Sequence, residues 1–138
     1  MERKYAEFAA TKACELLAID SPSGYTRKAA TWVKEAFEAL GFAAKITTKG
    51  GVLADLGGAD KDDALFLQAH TDTLGAMVAE IKANGRLKLT PLGGLRAENA
   101  ETENVRVHTR TGKIIEGTVQ LCNASVHVNG EYGEAKRT

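Results

Sequence analysis

The feature that most restricts this chain is a change of period near its middle. Apolar residues recur at helical spacing early on, at Tyr5, Phe8, Leu16 and Leu17 and again at Ala29, Trp32, Val33, Ala36, Phe37 and Leu40. Beyond residue 75 that spacing gives way to short strand-like runs between tight turns, of which RLKLT and VRVHT alternate apolar with polar. Helical spacing gathers every third or fourth side chain on one face, whereas alternation gathers every second. A single layer cannot serve both patterns. The chain is therefore expected to join an α/β portion to an all-β, barrel-like portion, with the boundary at about residues 72–75.

Turn formers divide the two portions further. The spacing predicts a helix over about residues 3–18, stopped by Asp20-Ser21-Pro22-Ser23-Gly24, and a second over 25–40, with Gly41 just past its end. FAAKITT (42–48) and GVLADL (51–56) read as strands joined around Lys49-Gly50-Gly51. ALFLQAH (64–70) is apolar on both faces and reads as an interior strand. AMVAEI (76–81) and RLKLT (86–90) flank Asn84-Gly85, a hairpin signal, and VRVHT (105–109) and IIEGTVQ (114–120) flank Thr111-Gly112-Lys113. The closing NGEYGEAKRT (129–138) is polar and turn-like. It offers nothing to close the first portion's sheet, so that domain is expected to be unfinished.

Charge narrows the function. Eighteen basic residues balance eighteen acidic ones, which gives no net field toward nucleic acid or an anionic membrane. Cys14 and Cys122 form neither a disulfide framework nor a CxxC metal site. The N-terminus has no signal-peptide block and no stretch is apolar for the ~18 residues a bilayer requires. Cytoplasmic residence, no membrane and no nucleic-acid partner are the expectations. The sequon Asn123-Ala124-Ser125 carries no weight without a secretion signal.

The chemistry-bearing stretch is FLQAHTDTLG (66–75). In an extended chain His70 and Asp72 share a face. The carboxyl ends of strands in open α/β sheets are where ligands collect. A neutral imidazole there can bind zinc or a similar ion, with a carboxylate holding its other nitrogen, and Gly75 lets the chain turn closely past. Three histidines and six aspartates in 138 residues would give about 0.13 His-x-Asp pairs by chance, so the pair needs its context. A hydrogen-bonded histidine at a strand end is the commoner arrangement.

Other candidates are weaker. His108, in VRVHT, and His127, in ASVHV, read as ordinary strand residues. Gly50-Gly51, Gly57-Gly58 and Thr111-Gly112-Lys113 make neither a GxGxxG nor a P-loop and read as turns. Ser21 and Ser23 lack a GxSxG elbow and read as turn and capping residues. The acids of AENAETEN (97–104) read as a solvated loop.

Taken in order, SPSGYT (21–26), AHTDTLGAMV (69–78), NGRLKLTPLGG (84–94), ENVRVHTRTGKIIEGTV (103–119) and ASVHV (124–128) resemble the N-terminal part of the glutamyl-aminopeptidase/endoglucanase-like family of dinuclear metallo-aminopeptidases, which includes the tetrahedral aminopeptidases. The resemblance covers nearly the whole chain. It implies a mixed-sheet zinc-peptidase domain, here residues 1–74, followed by part of an inserted small β-barrel dimerisation domain, residues 75–138. It implies that His70 is a direct ligand of one of two metal ions, zinc or cobalt. It counts Asp72 with the catalytic apparatus, as the carboxylate that orients His70.

The same resemblance sets limits. Family members run to more than twice this length. Their bridging aspartate, their glutamate pair and their remaining ligands lie beyond the matched stretch. One histidine and one carboxylate do not complete a four-coordinate zinc site, so these residues alone are expected to be inactive. The function implied is metal-dependent removal of N-terminal residues from peptides, by a homo-oligomer assembled through the β domain. The alternative is a non-catalytic assembly module from a truncated peptidase gene. A glycoside hydrolase has only the family's historical label behind it.

Overall fold

The computed structural model describes residues 2–60, 62–120, 125–128 and 130. Among the described residues it is mixed α/β with three two-stranded antiparallel sheets, and the chain divides into two compact units, Met1–Gly93 and Gly94–Thr138.

The first unit opens with α1 (Arg3–Leu17) and α2 (Arg27–Ala39). Surface ion pairs one turn apart, Arg3–Glu7 and Lys34–Glu38, run along them. Such exposed pairs add only a few tenths of a kcal/mol each, so packing decides where the helices lie. The packed part is small: Ala29 and Ala30 of α2 are buried, and α2 rests on the next hairpin and against α1. Its end has the double bond of a Schellman closure. Gly41 N–H donates to the Glu38 carbonyl at 2.9 Å and Phe42 N–H to the Phe37 carbonyl at 3.1 Å, with Gly41 at φ 89°.

β1 (Ala44–Ile46) pairs with β2 (Val52–Ala54), and β3 (Gly75–Ile81) with β4 (Leu87–Leu92) through a register shift between Val78 and Glu80. In the second unit a four-residue α3 (Ala97–Ala100) precedes β5 (Asn104–His108) and β6 (Ile114–Thr118). That helical turn occupies the front of the stretch expected to be loop. Thr102 follows it at φ 69°, and its N–H is secured by the Val119 carbonyl at 2.8 Å.

All three hairpins turn the same way. Gly50, Gly85 and Gly112 each donate to the carbonyl three residues back, on Thr47, Lys82 and Thr109, and each has φ near 80° (85°, 79° and 82°). This is the three-residue loop whose last position is left-handed. Asn84-Gly85 thus ends a three-residue loop, and the Asn84 side chain caps it by accepting from Arg86 N–H at 3.1 Å.

Two expected strands do not form. Residues 64–70 form no strand, and Leu65, Phe66 and Leu67 are 85%, 72% and 75% exposed. A strand is held by its neighbours' hydrogen bonds, not by its own composition. Among the described residues no neighbour pairs with this run. Residues 126–128 likewise form an exposed turn where ASVHV suggested a strand, so His127 is a turn residue. Cys122, the sequon at Asn123 and all of 129–138 except Gly130 lie outside the described residues.

Candidate functional site

His70 and Asp72 sit on a segment outside any strand that is steadied from an earlier loop. Pro22 and Thr73 form an isolated parallel bridge, and Thr73 N–H donates to the Ser21 carbonyl at 2.9 Å. Ser21, 1% exposed, sends its hydroxyl to the Thr71 carbonyl at 3.0 Å. The approach is close enough that a Cβ at Gly75 would lie 2.6 Å from the Cβ of Pro22. The residues flanking Asp72 are therefore both tied to Ser21, Thr71 through the serine hydroxyl and Thr73 through the serine carbonyl.

The imidazole and the carboxylate, two residues apart, meet. His70 Nδ1 lies 3.0 Å from the Asp72 carbonyl and 3.2 Å from Asp72 Oδ1. Both partners are acceptors, which selects the tautomer with hydrogen on Nδ1 and leaves the lone pair on Nε2. The ring is 85% exposed. An exposed imidazole backed through Nδ1 by a carboxylate has the donor chemistry of a metal ligand.

The other carboxylate oxygen has its own donor. Ser23 Oγ donates to Asp72 Oδ2 at 2.6 Å, a short charge-assisted bond. That bond is the chief reason the Asp72 pKa falls below its ordinary value. Partial burial opposes the fall and the His70 ring adds to it.

Ser21 and Ser23 are the residues that sequence reasoning undervalued. Ser23 does lie in a turn, closed by Tyr25 N–H to the Pro22 carbonyl at 2.8 Å, and Ser21 just precedes it. Neither caps α2, whose N-cap is Thr26 without a side-chain cap bond. Their hydroxyls reach instead to residues about fifty positions on. The signal available in the sequence was two hydroxyls spaced two apart, one on each side of a proline.

The remaining candidates stay apart from this pair. His108 is a β5 residue opposite Ile114, and Gly50-Gly51 and Thr111-Gly112-Lys113 are hairpin loops. Among the described residues no group of three or more His, Cys, Asp or Glu converges as a metal would require. His70 and Asp72 supply one ligand and its support. An open cleft of about 350 Å³ lies against Gln68, Ala69 and His70. Among the described residues no helix is long and apolar enough to cross a membrane.

Comparison with known proteins agrees with the order of motifs. The chain is 40% identical over 123 residues to YhfE of Bacillus subtilis (strain 168), whose name proposes an aminopeptidase, covering 89% of this chain and 36% of that protein. It is 29% identical over 101 residues to the glutamyl aminopeptidase of Lactococcus lactis subsp. cremoris (strain MG1363), covering 72% of this chain and 28% of that one. It thus spans about a third of the length of the curated relatives it matches. Residues 50–138, which hold both His70 and Asp72, match the family described as M42 glutamyl aminopeptidase. With the site's geometry and that match together, the chain belongs to the M42 glutamyl aminopeptidase family.

Proposed function

We propose that this chain carries the first metal-ligating segment of a metal-dependent aminopeptidase that removes N-terminal residues from peptides. The observation behind the reading is the clamp on His70 Nδ1 by the carbonyl and carboxylate of Asp72. Membership in a family of metallopeptidases supports a divalent metal as the partner of that Nε2 lone pair. A bound divalent ion, zinc or cobalt, supplies Lewis acidity toward a peptide carbonyl and toward water. The chain's own part is to hold one imidazole in the ligating tautomer. The Asp72 carboxylate fixes the ring and raises the basicity of its outer nitrogen.

Residues 1–74 would then belong to the catalytic domain. Residues 75–138 would belong to an inserted β-barrel domain through which copies of the chain pair. The run of short antiparallel hairpins supports that assignment. A cytoplasmic, peptide-processing role is the setting we propose.

Cobalt(II) added to the chain tests the ligand role, because a paramagnetic ion broadens nearby resonances even when it binds weakly. Broadening centred on the His70 ring, and lost in His70→Ala, is expected. Equal broadening of His70, His108 and His127 would sink the reading.

A second reading, a non-catalytic assembly module, has one observation in its favour: Leu65, Phe66 and Leu67 are exposed together. Sizing separates it. A discrete oligomer without any cobalt response at His70 would put assembly first.

A further inference from the structure

We infer that Ser23 is a positioning residue for the metal-facing imidazole, acting on His70 through Asp72. The inference deepens the ligand reading given above and rests on it.

A carboxylate holds a ring in place only if it is itself held. Asp72 could turn about its last side-chain bond and present either oxygen, or neither, to His70. The structure removes that freedom by giving each oxygen its own donor. Oδ1 faces His70 Nδ1 at 3.2 Å and Oδ2 takes the Ser23 hydroxyl at 2.6 Å. The two donors approach different oxygens and so do not compete. The shorter bond is the one from serine, so the serine sets the carboxylate plane and the histidine follows it.

Ser23 can do this because its loop has a fixed origin. Ser21, buried two residues earlier, bonds Thr71 through its hydroxyl and Thr73 through its carbonyl. Those contacts bracket Asp72 and set the distance from which Ser23 reaches it. A serine that served only its turn would bond within its own loop, whereas the Ser23 bond spans 49 positions. The backbone carbonyl of Asp72 also accepts from Nδ1, at 3.0 Å, and holds the ring in part without Ser23. The serine therefore governs how firmly the ring is held, not whether the pair forms at all.

The test reads the tautomer of His70 from its ring ¹⁵N resonances, at a pH well above the imidazole's titration and without metal. Wild type is expected to show mainly the Nδ1–H form. Ser23→Ala should lower the ratio of Nδ1–H to Nε2–H about fivefold, the worth of one hydrogen bond of ordinary net strength. Ser23→Thr, which keeps the hydroxyl, should restore it. A folded Ser23→Ala whose ratio matches wild type would overturn the inference, even if its melting temperature fell, because a turn-stabilising serine moves stability alone. If Ser23→Ala does not fold, Asp72→Asn takes its place: the same fall is expected, and an unmoved ratio breaks the contact through which Ser23 acts and overturns the proposal equally. The readout needs no metal. An absent cobalt response at His70 would therefore defeat the ligand reading while leaving this ratio unchanged.

Discussion

At Asp72 the contacts dictate the direction of the proton equilibrium. The Ser23 hydroxyl, and secondarily the His70 ring, favour the ionised carboxylate, so its folded pKa lies below the ordinary 3.8. A depressed folded pKa means that the stabilisation is fully present above 3.8 and is lost as pH falls through the lower, folded value. The carboxyl ¹³C titration of Asp72 should therefore have its midpoint below 3.8, and Ser23→Ala should return it toward that value. A midpoint indifferent to Ser23 would contradict the assignment of cause. Gly75 gives a steric prediction at the same scale. A methyl placed 2.6 Å from the rigid Pro22 ring forces one segment to move, so Gly75→Ala is expected to destabilise the unit by about 1–3 kcal/mol in denaturant melts. That His70 and Asp72 would meet was legible in the sequence, because residues two apart stay within side-chain reach. The serines were not, because a partner 49 or 50 positions away leaves no local trace.

Among the elements, the hairpins and helices were the legible part, and the reason is their locality. A glycine after a helix and a glycine in a loop between alternating runs are complete signals, and Gly41, Gly50, Gly85 and Gly112 all take the left-handed conformation they imply. Their substitution separates conformation from contact. Nothing lies within 4 Å of a Cβ at Gly85, so Gly85→Ala adds no clash there, only left-handed strain of about 1–2 kcal/mol. Faster amide exchange across β3 and β4, with no change at β5 and β6, is the expected signature. Fraying of all the sheets together would argue against so local an effect. ALFLQAH illustrates the opposite case. Its composition reports a preference for apolar neighbours on both faces, and composition cannot state where those neighbours come from.

On the scale of the whole molecule, the described residues enclose very little apolar surface. Ala29 and Ala30 are the buried apolar side chains among the described residues, while Leu65, Phe66 and Leu67 face solvent. Catalysis by a two-metal peptidase needs further ligands and a base within hydrogen-bond reach of water. No third His, Cys, Asp or Glu joins His70 and Asp72 in a metal-holding group among the described residues. We therefore expect these 138 residues, purified and supplied with zinc or cobalt, to leave aminoacyl anilides unhydrolysed. Chelator-sensitive release of the anilide product by such material would refute that. The tie between the Ser21–Ser23 loop and the His70–Thr73 segment also bears on the order of events during folding. Each hairpin closes over a handful of residues, on the order of microseconds. The tie must first bring together groups about fifty residues apart, and the entropy of closing so long a loop delays it. The brace that Ser23 gives Asp72 is thus expected to arrive after the hairpins have closed, so a nascent chain passes through its early stages with the local His70–Asp72 pair still unbraced.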